Sequence, residues 1–513
     1  MHFCQRWKNA DAELAERATV VELCWVNTSA QLKLLEILHP ALSDQTQRIL
    51  GDSVAVLAKK LDLAVIQIQK LQDPNSPAQP GFLHFRRKAQ GAKYALCQSG
   101  LDATIQDVEA WQGRCKMALD LNMRDPNPEI GQRMRRMQET QVSQRDGATA
   151  PSSSPLSLTG GIRDALQPTG TLPSVFLPSM MFDTSAIPFS RAKTACIQPG
   201  SSNSKTRWFI LDSLPCRPGT DVHALTGDVR DLARKLRHAD PFAFGLLNCK
   251  GAMRVLGQPP GLDLAAFDLV FNLPPGTDAE QLQSLRALLL LPAAAPSLSR
   301  RLRLAQELAT SVSYVHTFGF VHKNICPGSV LLGKEERSQI DAGAATPNRR
   351  SSFLIGFDSF RSAAGNTSLT GDRDWVNNIY RHPERMGEFP AEAYRMQHDI
   401  YSLGVCLLEM GLWESLIEYP EGSTSNPEYG RVCRDFLRTA KPWVFFKDHL
   451  VDLAENELPR RMGDRYASVV VTCLTCLDRD GDFGEEAEVD LDGITLGLRF
   501  IEVIFGQLKG IVI

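Results

Sequence analysis

No stretch of this 513-residue chain stays apolar for the ~20 residues that a membrane-spanning helix needs; the longest run, Ala287–Ala295, is short and contains Pro292. Charge of one sign is missing too. The 56 Lys and Arg against 59 Asp and Glu leave a formal −3, which offers no attraction toward nucleic acid or an anionic membrane. The 12 cysteines are scattered without the paired spacing of a disulfide framework, as expected in a reducing compartment. Met1-His-Phe-Cys-Gln-Arg-Trp7 has no apolar core behind its positive charges, so no secretory signal is expected. With 43% apolar and 22% charged residues, the composition is that of an ordinary globular, cytoplasmic chain of two or three domains.

The first 140 residues carry helical periodicity. Leu14, Ala18, Val21, Trp25, Thr28, Leu32, Leu35 and Leu38 recur at spacings of three and four, which predicts one apolar stripe on a long helix stopped by His39-Pro40. Asp44 with Gln47 resembles a capping pair, and Val54, Leu57, Leu61, Ala64, Ile68 and Leu71 repeat the spacing up to Asp73-Pro-Asn-Ser-Pro. Leu101, Ile105, Val108, Trp111, Cys115 and Ala118 form a third stripe. Long amphipathic helices joined by short turns give an antiparallel bundle. Residues 141–205 then turn to Ala-Pro-Ser-Ser-Ser-Pro, Thr-Gly-Gly and Pro-Gly-Ser-Ser-Asn-Ser, a linker composition expected to be mostly disordered, with Val175–Phe182 as an apolar island able to dock on either side.

Three blocks in the second half carry the chemistry. The first is Tyr314-Val-His-Thr-Phe-Gly-Phe-Val-His-Lys-Asn-Ile-Cys-Pro-Gly-Ser-Val-Leu-Leu332, the second Phe353-Leu-Ile-Gly-Phe-Asp-Ser-Phe-Arg361. The third runs from Tyr380-Arg-His-Pro-Glu384 to His398-Asp-Ile-Tyr-Ser-Leu-Gly-Val-Cys-Leu-Leu-Glu-Met-Gly-Leu-Trp413. In this order they resemble the catalytic loop, the Asp-Phe-Gly turn, the Ala-Pro-Glu element and the central large-lobe helix of a protein kinase. His322, Pro327, Phe357, Pro383, Glu384, Asp399 and Gly404 match the frame of that pattern. The resemblance implies that Asp399 braces the loop backbone and that Glu384 pairs with an Arg, for which Arg460, Arg461 and Arg479 are candidates.

The chemical positions are exchanged. Lys323 stands for the Arg of the loop, Asn324 for the catalytic Asp, Cys326 for the Lys, Ser329 for the metal-binding Asn and Gly356 for the metal-binding Asp. An amide cannot act as base, and a serine hydroxyl is a weaker Mg²⁺ ligand than an Asn carbonyl. Upstream, Trp208-Phe-Ile-Leu211 and Phe267-Asp-Leu-Val-Phe271 read as small-lobe strands, the second leading into a hinge at Asn272-Leu-Pro-Pro-Gly276. The helix expected at Asp228–Leu236 has no Glu, the Trp208 strand has no Lys, and Gly200-Ser-Ser-Asn-Ser-Lys-Thr206 ahead of it is linker-like, not glycine-rich. A general base alone contributes ~10²–10⁴-fold, so losing base and metal ligands together leaves little phosphoryl transfer. Only an atypical active kinase, using Asp358 or Lys250 from displaced positions, would need ATP and Mg²⁺; otherwise no cofactor and no metal is expected.

Arg6-Trp7, Glu16-Arg17 with Cys24-Trp25 and Gln31-Leu32, and Val108-Glu-Ala-Trp111 make the bundle resemble the HeLo-type, prion-inhibition and propagation domains of filamentous fungi. Such domains begin with an apolar helix used against membranes. Here the chain starts almost at Trp7, which argues against membrane insertion. Other signals read as structural: Asp478-Arg-Asp-Gly-Asp482 would put Phe483 and Val489 at the Gly and Glu positions of a Ca²⁺ loop, Cys473 and Cys476 sit in an apolar run as core thiols, and His316 with His322 matches kinase-pattern structural histidines. Arg349-Arg-Ser-Ser352, in a loop over 334–352, is a possible phosphosite but reads as solvated loop.

The expected architecture is multidomain: an all-α bundle over 1–140, a linker over 141–205, and an α+β two-lobed kinase-like fold with small lobe 206–275 and large lobe 276–513. The expected role is a catalytically inactive signalling or scaffold protein with protein partners, its kinase-like part regulating a helical effector in incompatibility or cell-death-type signalling. A plain helical interaction module beside a structural kinase-like domain is the other non-enzymatic reading.

Overall fold

The computed structural model describes residues 2–42, 44–72, 83–143, 155–167, 173–197, 206–216, 221–256, 264–291, 295–333, 350–362, 374–387, 390, 393–478, 481–483 and 493–511. Two compact units divide the chain at Gly160 and Gly161. Among the described residues no helix is long and apolar enough to cross a membrane.

The first unit is helical: α1 (His2–Leu38), α2 (Asp44–Gln72), α3 (Leu83–Leu121) and α4 (Pro128–Ser143), with α5 (Pro155–Leu166) straddling the division. As His39-Pro40 predicts, α1 ends at Leu38 in a single tight turn. The second and third stripes face the core: Leu57, Leu61, Ala64 and Ile68 pack with Leu101, Ile105, Val108 and Cys115. On α1 the stripe is shifted. Val21, Cys24, Thr28, Gln31, Leu35 and Leu38 are buried, whereas Trp25 is 50% exposed. The inward line keeps an even three-four alternation, and Val21 and Cys24 join the apolar cluster of α2 and α3. Gln112 Nε2 of α3 donates to the Cys24 carbonyl at 2.9 Å, and Thr28 Oγ1 to the same carbonyl at 2.7 Å within α1. Gln47 does not cap with Asp44; its amide donates to the carbonyls of His39 and Leu42 at 2.8 and 2.9 Å.

The second unit begins earlier than residue 206. β1 (Asp183–Ala186) and β2 (Lys193–Ile197) form a hairpin inside the stretch with linker composition. They extend a five-stranded antiparallel sheet with β3 (Arg207–Pro215), β4 (Cys249–Leu256) and β5 (Leu264–Asn272) in the order β1-β2-β3-β5-β4. The strands form because buried partners await each second residue: Phe209 and Leu211 pack with Ala195, Met253 and Val270, and the apolar island covers them through Leu177, Met180 and Phe182. That island docks on β4, where Leu177 N and Ala252 N bond Ala252 O and Val175 O at 2.8 and 2.9 Å. The rest of the linker, 144–154, 168–172 and 198–205, lies outside the described residues.

Between β3 and β4 runs α6 (Val222–Leu236), capped by Asp221, which accepts from the amides of His223 and Ala224. Beyond β5 the chain is mainly helical. Its centre is the helix Met396–Leu412, buried along its whole length, which is the property of a helix packed on every side. Gly404 on that helix touches the helix Asp464–Leu474: a Cβ built there would lie 2.6 Å from Cys473 Cβ. Cys473 and Cys476 are both buried thiols, as read from their apolar run. Because neither backbone can give way, Gly404→Ala should cost roughly 1–3 kcal/mol by overpacking. Thermal melts would show this as a drop of several degrees, and an unchanged melting temperature would contradict the helix contact.

Candidate functional site

The site lies where the segment 320–332, the turn 356–359, β3 and the β1–β2 turn converge. Asp399, fully buried on the central helix, accepts from the amides of His322 and Lys323 at 2.7 and 2.9 Å, from Tyr394 Oη at 2.7 Å and faces His316 Nε2 at 3.1 Å. Burial opposes ionisation of this carboxyl, yet hydrogen bonding to His316, the charge of His316 and His322 and the Tyr394 hydroxyl hold it below its usual range. His322 itself is fully buried, lies tilted against Phe357 with ring centroids 4.7 Å apart, and burial pushes its imidazole down to about 4.

The exchanged residues are drawn into contacts among themselves. Asn324 Nδ2 donates to Gly356 O at 3.2 Å and to Asp358 Oδ1 at 2.8 Å. Ser329 Oγ donates to Cys326 O at 2.9 Å and accepts from Cys326 N at 3.1 Å, closing the turn that Pro327 opens. Gly356 sits at φ +92, and a Cβ there would meet Ser329 Cβ at 2.9 Å. The glycine is therefore required by the turn's path as well as by its conformation.

Two residues of this site escape sequence reading. The first is Asp212. It shares a face of β3 with the buried Ile210 and Leu214, and its Oδ2 accepts from the amides of Phe357 and Gly356 at 2.7 and 3.1 Å. Its Oδ1 has no hydrogen-bond partner. Burial, helped by the charges of Asp358 and Asp268 and opposed by the two amide hydrogen bonds, pushes this carboxyl up to about 7. The second is Arg191, in the β1–β2 turn, whose guanidinium pairs with Asp358 Oδ2. Sequence reading placed a disordered linker there.

Other expected residues fall elsewhere. Glu384 is half-exposed and lies 3.3 Å from His382 Nδ1; of its three candidate arginines, Arg461 bonds Leu412 O at 2.9 Å, and Arg479 lies outside the described residues. Ser351 and Ser352 are buried, not solvated, and bond Glu307, while Arg350 donates to the carbonyls of Phe242 and Glu307. Lys250 lies 4.6 Å over the Phe209 ring, on the opposite face of β3 from Asp212. Most of the calcium-like loop is outside the described residues. His382, Glu384 and His398 bring ligand atoms within 4.8 Å of one another. Burial, then the positive charge of His382, Arg395 and Arg385, push His398 down to about 3.

A cavity of about 360 Å³ opens beside these groups, between the β1–β2 turn and the segment 324–329, with Tyr380 and Tyr419 on its far wall. Below it Arg286 forms a buried network with Tyr380 Oη, with Ser415 Oγ at 2.7 Å and with Glu409 at 3.5 Å.

No family model matches the chain. A stretch of 113 residues, 21% of the chain, is 26% identical to the eIF-2-alpha kinase GCN2 of Schizosaccharomyces pombe. The match spans 7% of that protein. This chain is thus similar over part of its length to a protein kinase, and the fold, a helical region followed by a sheet-containing one, is compatible with that likeness.

Asp399→Ala would strand the amides of His322 and Lys323, and unfolding should become easier by roughly 1–3 kcal/mol or more; an unchanged denaturant midpoint would refute the bracing. Asp212 gives a pH signature. Its folded pKa lies above the unfolded value, so the folded state binds the extra proton and stability falls as pH rises from about 4 to about 7, by up to about 4 kcal/mol. Asp212→Asn keeps the acceptor and removes the charge. The variant should melt above the wild type at pH 8, and the gap should close toward pH 5; a gap independent of pH would show that Asp212 carries no buried charge.

Proposed function

We propose that this chain is a kinase-like binding protein that does not transfer phosphate, a helical bundle joined to a two-lobed pseudokinase domain that engages protein partners. The observation that carries this reading is Asp212. In Phe209-Ile-Leu-Asp212 a carboxylate takes the place that a kinase strand gives to the phosphate-pairing Lys of Val-Ala-Ile-Lys, and it is turned onto the amides of Gly356 and Phe357. A nucleotide's phosphates would meet an acidic side chain, not a cation, where they need positive charge.

The residues present do not fit Mg²⁺ with ATP. Both oxygens of Asp358 are engaged, by Asn324 and by Arg191, and the Ser329 hydroxyl is turned onto the Cys326 backbone. Lys250, the other displaced candidate, lies across the sheet from the cleft. The resemblance of the bundle to HeLo-type domains supports a signalling role in which the kinase-like part regulates a helical effector, in fungal incompatibility or cell-death-type signalling. Leu23, Trp25 and Val26 on α1, 58%, 50% and 59% exposed, supply apolar surface for a protein partner.

Thermal shift with ATP, with and without Mg²⁺, tests the reading. A nucleotide at 100 times its dissociation constant should stabilise by ~2.7 kcal/mol. No rise in melting temperature is expected; a clear Mg²⁺-dependent rise, or incorporation of labelled phosphate, would overturn the proposal in favour of an atypical kinase.

A further inference from the structure

The β1–β2 turn is anchored to the other side of the cleft at four points. Ser284 Oγ donates to Pro188 O at 2.7 Å. The Phe189 ring packs on Tyr419 with centroids 4.7 Å apart. The Phe189 carbonyl presses on Gly328, where a Cβ would meet it at 2.9 Å. Arg191, with its side chain 53% exposed, reaches Asp358, whose side chain is 3% exposed. Phe189 adopts φ +57, a left-handed conformation unfavourable for a bulky side chain, so these contacts hold the turn in a shape it would not keep alone.

The charges explain the anchoring. Asp358 sits next to Asn324 and within the electrostatic reach of Asp212. A buried carboxylate in such company needs a cation, and the turn delivers one from 167 residues away in sequence. We propose that Arg191 is an internal counter-cation for Asp358 and that the β1–β2 turn is thereby a clasp, closing the cleft over the cavity that contains Cys326. The clasp deepens the reading of the cleft as idle, on which it rests: the chain occupies with its own guanidinium the place where a bound cation would otherwise balance the carboxylate.

Cys326 reports the state of the clasp. It lines the cavity beneath the turn, its Sγ 3.7 Å from the position of a Cβ on Gly328. Cys326 and Cys216 are partly exposed, whereas Cys24, Cys115, Cys196, Cys249, Cys406, Cys433, Cys473 and Cys476 are buried. Full-length protein would be treated with N-ethylmaleimide under native conditions, and the labelling rates of Cys326 and Cys216 read by peptide mass spectrometry. Arg191→Ala should accelerate labelling of Cys326 about ten-fold, the equivalent of ~1.4 kcal/mol in the opening equilibrium, with Cys216 unchanged. Asp358→Asn, which removes the partner charge and keeps a side chain able to bond Asn324, should do the same, and Arg191→Lys should stay near the wild-type rate.

An unchanged Cys326 rate in both Arg191→Ala and Asp358→Asn overturns the clasp. Equal acceleration of Cys326 and Cys216 overturns it too, since the whole domain would then have loosened. The two readings fail separately: phosphate incorporation by the purified protein would remove the idle-cleft reading, while the ratio of the two labelling rates decides the clasp.

Discussion

Backbone amides held by buried carboxylates are the constraint on which the cleft is built. Asp399 holds the amides of His322 and Lys323, and Asp212 those of Gly356 and Phe357. The two anions differ in company. Asp399 faces His316 and the Tyr394 hydroxyl, so its carboxyl stays low despite complete burial. Asp212 has the two amides alone, with Asp358 and Asp268 as like-charged neighbours, so burial drives it upward to about 7. Both carboxyls are fully buried; donors beyond the backbone beside Asp399, and like charges beside Asp212, decide the sign of the shift.

The exchanges at the site depend on one another. With glycine at 356 the turn can run at φ +92 and lie against Ser329 Cβ, a path closed to any larger residue. That path brings Asp358, two residues on, to the amide of Asn324. An Asp at 324 would face Asp358 as a like charge; the Asn donates to it instead. Asp358 then requires a cation, which Arg191 brings. Each substitution away from a kinase pattern is thus satisfied by another, and reversing one of them alone would leave a buried charge or a clash.

What could be read from the sequence was what repeats locally. The stripes on α2 and α3 were legible because Leu57, Leu61, Ala64, Leu101, Ile105 and Val108 are apolar at regular spacing and pack on each other. On α1 hydrophobicity points to Trp25, yet the residue turned inward is its neighbour Cys24, because burial follows the packing line through Val21, Cys24 and Thr28 and not the largest apolar side chain. The hairpin β1–β2 was illegible: its strands are short, the turn Ile187-Pro-Phe-Ser-Arg-Ala192 has no glycine, and its composition is that of a linker. Asp212 is illegible because a charge following an apolar strand reads as its exposed end. Its burial comes from the turn at 356–357, more than 140 residues away, and no local pattern encodes such a partner.

The same long-range pairing bears on where recognition takes place. A ligand entering the cleft must displace contacts that are already satisfied within the chain: Arg191 from Asp358, Phe189 from Tyr419, and Pro188 from Ser284. Each displaced polar group would have to be re-bonded by the ligand or left buried at a cost of roughly 1–3 kcal/mol. On the proposed reading nucleotide phosphates are poor at that exchange, because they would compete with Asp358 for Arg191 and expose an acidic side chain in place of a cation. A protein partner meets no such opposition on the outer surfaces, where the groups to be covered are apolar side chains and half-exposed ion pairs. On the proposed reading, the satisfied contacts of the cleft direct a partner away from it, toward the outer surface of the sheet-containing unit.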